Sequence, residues 1–174
     1  MLAPMAELAP RERLQPSLLD RLTDDDPKNS VEPRERRVLS LRTLRDGVLR
    51  DLAWLLNTTN LLSVTTTARL PYVATSVLNY GVPGLAGIAL STLDVSALER
   101  GIRQAIWDFE PRLIRNTVSV RALAGSHVRD NKLDFEIEAD LWAQPYTERL
   151  YLKTEFDLER GAVLLSEVHG RGAP

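Results

Sequence analysis

The chain has 174 residues, 44% hydrophobic and 26% charged, with a formal net charge of -2 and no cysteine. That size and usage support one folded core, and the missing cysteines exclude a disulfide framework, a thiol nucleophile and a zinc ribbon. No window approaches the roughly 18 uninterrupted apolar residues of a membrane span, the amino end lacks a signal-peptide pattern, and the weak net charge argues against bulk nucleic-acid binding, so the expected address is the cytoplasm.

Residues 1–34 hold five of the ten prolines and the run Asp24-Asp25-Asp26, and they read as a largely extended amino-terminal segment outside the core. Within it, Pro16 opens about two helical turns that put Leu18, Leu19 and Leu22 on one side before an Asp-Pro stop. This island is either a docking peptide for a partner or a strap on its own domain. Residues 35–170 form the expected main domain and 171–174 a tail.

From Arg37 to Asn57, Leu41, Leu44, Val48, Leu52 and Leu55 recur at steps of three and four, the pattern of one helical face. Arg42, Arg45 and Arg50 fall off that stripe among Asp46 and Asp51 and read as a solvated face. Pro71 opens a short helix through Val73, Val77 and Leu78, closed by Gly81 and the Pro83-Gly84 turn. A third helix starts either at Asp94, with Leu93 and Leu98 as a hydrophobic staple, or at Ser96 with Glu99 as a capping box. Its inward stripe is Leu98, Ile102, Ala105, Ile106 and Phe109, and Pro111 ends it at about Glu110.

Beyond Pro111 the period changes to two. Val118, Val120 and Ala122 make one strand, Leu133 to Leu141 a second, and Leu150, Leu152, Phe156 and Leu158 lie on the inward side of a third. Glu159-Arg160-Gly161 then turns into a last run from Ala162 to Val168. The expected class is α+β, with amino-terminal helices packed on a small antiparallel meander of three to four strands.

The chemistry-bearing candidates are few. His127 and His169 have no ligand spacing around them, so neither a metal nor any other cofactor is expected. Glu136 and Glu138 alternate on the expected solvent face, and the glycines of Gly81-Val-Pro-Gly84 read as turns. Glu110-Pro111-Arg112 stands out: if extended, acid and base project to the same side, about 6.6 Å apart along the backbone. With the proline limiting their freedom, they can engage a partner's arginine and carboxylate together, or they satisfy exposed backbone at the corner.

In order along the chain, several segments carry a resemblance. These are Pro16-Ser-Leu-Leu-Asp-Arg-Leu-Thr-Asp-Asp-Asp-Pro27, Val48-Leu-Arg-Asp-Leu-Ala-Trp-Leu-Leu-Asn-Thr58 and Ser76-Val-Leu-Asn-Tyr-Gly-Val-Pro-Gly84, followed by Ile102-Arg-Gln-Ala-Ile-Trp-Asp-Phe-Glu-Pro-Arg-Leu113 and the strand Leu133 to Leu141. Together they resemble the TssE family, type VI secretion baseplate subunits related to the wedge proteins of contractile-tail phages and sometimes labelled lysozyme-like. The resemblance implies a non-enzymatic cytoplasmic subunit on the inner face of the cytoplasmic membrane. It also implies wedge partners TssF, TssG and TssK, sheath subunits TssB and TssC, and no small-molecule ligand. Glu110, Pro111 and Arg112 then match the family's wedge-contact signature. The sheet is similar to the handshake fold of sheath subunits, with Ala162 to Val168 as the expected sheath-facing edge and the third strand as second choice. A peptidoglycan hydrolase using Glu110 as general acid is the alternative, though no spacing nominates its second carboxylate. A third reading is an adaptor that binds through Leu18, Leu19 and Leu22.

Overall fold

The computed structural model describes residues 17–23, 40–65, 72–88, 92–123, 131–143 and 147–168. His127, His169, Pro71 and the tail 171–174 lie outside them. Helices α1 (Leu18–Leu22), α2 (Leu41–Leu56) and α3 (Val95–Phe109) precede strands β1 (Ser119–Ala122), β2 (Lys132–Leu141), β3 (Glu148–Asp157) and β4 (Ala162–Glu167). This is the expected α+β order.

Each helix starts where a side chain takes over an unbonded backbone amide. The Ser40 hydroxyl accepts from Thr43 N at 3.1 Å to open α2, and Asn57 closes it. Of the two starts available to α3, the protein uses Asp94, whose carboxylate accepts from Ala97 N at 2.9 Å. Glu99 is then not needed as part of a cap, and its carboxylate instead accepts from Ala122 N of β1 at 2.7 Å. Leu44, Val48, Leu52 and Leu55 of α2 and Leu98, Ile102, Ala105 and Ile106 of α3 are buried. Leu41 lies beyond the covered stretch of α2 and is exposed, while Phe109 is half-buried against the core.

The short helix expected after Pro71 is reduced to turns and a single 3-10 turn, Val77–Asn79. Its buried residue is the polar Asn79, with Val77 and Leu78 exposed. The reason is local: the Asn79 amide accepts from Leu62 N at 3.0 Å and donates to Ala74 O at 2.8 Å, so the polar side chain organises the loop from inside. Gly81 follows at φ +122°, where a Cβ would collide with the Thr58 carbonyl.

The strands form one antiparallel sheet in the order β1-β2-β3-β4. β2 and β3 pair along their whole lengths, from Lys132 opposite Asp157 to Leu141 opposite Glu148. Period two puts Leu133, Phe135, Ile137, Ala139 and Leu141 of β2 and Leu150, Leu152 and Phe156 of β3 beneath the helices. Phe135 and Phe156 meet edge-on at 5.3 Å between ring centroids. The opposite face is charged and cross-linked by Lys153 to Asp134 (3.0 Å) and Arg149 to Glu138 (3.1 Å). After β3, Asp157 Oδ1 accepts from Glu159 N and Arg160 N, and Gly161 at φ +65° completes the turn into β4. Those amide donors hold the Asp157 carboxyl below its ordinary value.

Strand order corrects one expectation. The third strand cannot be an open edge, because β3 is paired on both sides, with β2 and with β4. Among the described residues, β1 and β4 are the outer strands. α3 attends the first through Glu99, and α2 attends the second.

Candidate functional site

Glu110 follows the last residue of α3, and its own N–H still bonds back to Ile106 O at 2.9 Å. Pro111 cannot continue the helix, and the chain turns at once onto the end of β2. There Trp142 N donates to Arg112 O at 2.8 Å, and Ile114 N donates to Asp140 O at 2.8 Å. The Glu-Pro-Arg segment is thus fixed on both sides by backbone, helix before it and sheet after it.

The side chains do not both project outward as the extended reading expected. Glu110 is 3% exposed. Arg112 folds back over it, donating from Nε to Glu110 Oε1 at 2.7 Å and from Nη2 to Oε2 at 2.6 Å, a forked charge-assisted pair. Glu110 Oε1 also accepts from Arg112 N at 3.2 Å. The cause is geometric: Glu110 has a non-extended backbone at φ -122° and ψ 79°, and Arg112 lies in a turn, so the two-step strand spacing does not apply. Burial alone would lower the Arg112 pKa, but Glu110 and then Asp51 raise it well above the ordinary arginine value.

Asp51, on α2, is the residue that spacing alone did not single out. It accepts from Arg112 Nη2 at 2.5 Å, and its other oxygen lies 2.8 Å from Arg50 Nη2. Arg50 in turn reaches Asp20 of α1 at 2.7 Å. One chain of charges therefore runs from Glu110 through Arg112, Asp51 and Arg50 to Asp20, and it carries the amino-terminal helix to the Glu-Pro-Arg corner. Gly47 of α2 lies at this crossing, where an added Cβ would stand 3.6 Å from Asp20 Oδ2 and 3.8 Å from Arg112 Nη1. The expected solvated face of α2 holds only for Arg42, which is paired loosely with Asp46. Arg45 is instead enclosed by Glu148 at 3.0 Å and forks onto Glu167, joining α2 to the ends of β3 and β4.

The three leucines of α1 divide. Leu18 and Leu22 are 71% and 73% exposed, whereas Leu19 lines a cavity of about 510 Å³ beside the corner. Its walls are largely apolar: Leu44, Trp54, Leu55, Tyr80, Phe109, Pro111 and Trp142, joined by the mutually bonded Asp51, Glu110 and Arg112. Tyr80 and Phe109 pack edge-on at 5.2 Å, Arg50 stacks 5.1 Å over Trp54, and Trp54 and Trp142 remain half exposed. Burial, followed by the charges of Asp51 and Glu110, pushes the Tyr80 hydroxyl pKa up. A largely apolar groove with half-exposed indoles and a fixed charged part of its lining can seat a protein segment through aromatic anchors. Among the described residues, no group of three or more His, Cys, Asp or Glu side chains is placed to hold a metal ion. No helix there is long and apolar enough to cross a membrane.

Residues 42–146 match the family model described as baseplate wedge protein gp25. The matched span runs from the start of α2 past the end of β2 and includes Glu110, Pro111 and Arg112. No curated protein matches the chain.

Proposed function

The chain belongs to the baseplate wedge protein gp25 family, and from that premise we propose that it is the TssE-like wedge subunit of a type VI secretion apparatus, docking to its partners and starting the contractile sheath. The family fits a structural baseplate role beside other baseplate components. The finer assignment is cytoplasmic, on the inner face of the membrane, with TssF, TssG and TssK as wedge partners and TssB and TssC as sheath subunits.

The observation that carries the docking half is that Glu110, Pro111 and Arg112 line the same groove as Trp54, Tyr80, Phe109 and Trp142. The internal salt-bridge network fixes the charged part of the lining, and half-exposed Trp54 and Trp142 form the rest of the contact. The sheath half is strand addition at β4, an outer strand of the sheet among the described residues, where the backbone of Leu165 faces away from β3. α1 supplies a further docking element, with Leu18 and Leu22 turned outward and Leu19 at the groove.

Catalysis fits the corner poorly. A general acid must reach a glycosidic oxygen, yet Glu110 is buried and both its oxygens are taken by Arg112.

Co-purification of the protein with wedge and sheath subunits tests both halves. Trp54→Ala with Trp142→Ala is expected to lose the wedge complex while the isolated protein keeps its melting temperature. Full recovery of the wedge complex in that variant overturns the groove as the docking site.

A further inference from the structure

Trp107 of α3 is in contact with two arginines. The guanidinium carbon of Arg103, one helical turn earlier, stands 5.5 Å from the ring centroid, and that of Arg115, on the 3-10 turn after the corner, stands 4.9 Å from it. Arg45, Arg50 and Arg112 all sit on carboxylates. Arg103 and Arg115 have no carboxylate partner among the described residues. The nearby acid Asp108 is engaged elsewhere, with both oxygens accepting from Gln104 Nε2 at 2.9 Å.

Two further donors are left over. Trp107 Nε1 and Arg103 Nε are both shielded from solvent and make no hydrogen bond. Shielded polar atoms without partners are costly, and natural proteins keep few of them. Two guanidinium groups gathered on one indole without a carboxylate partner leave positive charge that an anion can engage. The chemistry that this pair of guanidinium groups fits is thus an anion.

We propose that Arg103, Trp107 and Arg115 form a second docking point that receives a carboxylate-bearing segment of a partner protein. The guanidinium groups grip the carboxylates through their outer N–H donors, and the indole holds the two arginines in place. Arginine and tryptophan are the side chains on which interface energy concentrates. The charge of the whole chain favours a protein over a polyanion: at -2 it has no excess of positive charge to follow a nucleic-acid backbone. This point is separate from the aromatic groove, because Trp107 and Phe109 are two residues apart, about 200° around the helix. It goes beyond the wedge reading and can fail or stand independently of it.

The test titrates the full chain with a short labelled peptide of Asp, Glu and Ser, its Asn and Gln counterpart, and an oligothymidylate. Binding is followed by anisotropy and by the indole N–H resonance of Trp107, assigned with Trp107→Phe. The acidic peptide is expected to bind at least about tenfold more tightly than the amide peptide, the size of a contact worth 1.4 kcal/mol. The Trp107 indole resonance is expected to move as it does so, and the affinity to fall as salt is raised. Arg103→Gln with Arg115→Gln is expected to lose this preference while keeping the wild-type melting temperature. Equal binding of the two peptides to the wild-type protein overturns the proposal without recourse to any variant. So does an indole resonance that stays still, or undiminished binding by a folded double variant. Tighter binding of oligothymidylate replaces the protein partner with a nucleic acid.

Discussion

Asn57 closes one position of the outer edge of β4, for its side-chain amide donates to Val163 O at 2.9 Å and accepts from Val163 N at 2.9 Å. A residue at the end of α2 therefore occupies the place of a neighbouring strand. The pairing also fixes parity. Val168 N donates to Tyr151 O, so the groups facing β3 are those of Val168, Ser166 and Leu164, while those of Val163, Leu165 and Glu167 face away from β3.

A strand added at β4 thus finds Leu165 as the first backbone position beyond Asn57, which gives a paired experiment. Leu165→Pro removes an outward N–H and is expected to leave the fold in place while blocking sheath initiation. Leu164→Pro removes an N–H of the β3 ladder and is expected to destabilise the protein itself. Melting temperatures and sheath assembly on purified baseplates check both. Sheath growth from a folded Leu165→Pro protein removes β4 as the initiating edge.

Burial of Glu110 changes what its removal should do. A solvated docking carboxylate would be dispensable to the fold, but Glu110 shares Arg112 with Asp51 inside the body of the protein. Glu110→Ala leaves a partly buried guanidinium with one partner fewer, and it is expected to cost about 2 to 4 kcal/mol of stability. Arg112→Lys keeps the charge but loses the fork, so it is expected to recover only part of that. Urea unfolding of the two variants against wild type measures the difference. Loss of assembly in Glu110→Ala then has to be judged on protein shown to be folded.

The core permits a ranking of two phenylalanines. Phe135 is fully buried in the sheet layer and meets Phe156 edge-on, whereas Phe109 is half-buried and packs on Tyr80 at the groove. Phe135→Ala is expected to cost about 3 to 5 kcal/mol. Phe109→Ala is expected to cost clearly less and to act mainly on docking. Chemical denaturation that places the two equal would mean that the groove end of α3 belongs to the core.

What periodicity could reveal was the part of the fold that alternates. The β2 pattern from Leu133 to Leu141 and the α3 stripe from Leu98 to Ile106 both appear on the buried faces they imply. The Glu-Pro-Arg segment was also visible, because proline at a change of period marks a corner. Its inward turn was not, since side-chain direction there depends on Asp51, which lies 61 positions from Arg112 in the chain. Asp51 itself reads as one of several charges off the apolar stripe, and nothing local separates a solvated acid from one held by a distant arginine. The loop around Asn79 is illegible for a related reason: a polar side chain bonding two backbone groups leaves no hydrophobic period.

The amino-terminal helix should be released by acid. Burial would raise the Asp20 carboxyl, but hydrogen bonds from Ser17 and Arg50 together with the Arg50 charge hold it below the ordinary value of 3.8. A carboxyl depressed in the folded state contributes stability above its unfolded pKa and loses it as pH falls through the folded value. The Asp20 to Arg50 link is therefore intact at neutral pH, and its contribution starts to fall below pH 3.8 and is lost as pH drops through the still lower folded value. A partly exposed pair of this kind contributes only about 0.5 to 1 kcal/mol, enough to hold a five-residue helix but not to govern global unfolding. Amide exchange at Thr23, whose N–H closes α1 onto Leu19 O, reports on the helix, and exchange at Ile137 reports on the core. Acid is expected to accelerate Thr23 relative to Ile137, beyond the intrinsic pH dependence of exchange. Asp20→Asn is expected to lose most of the Thr23 protection already at neutral pH. Protection of Thr23 that survives both acid and Asp20→Asn would show that Leu19 in the groove, and not the salt bridge, anchors the helix.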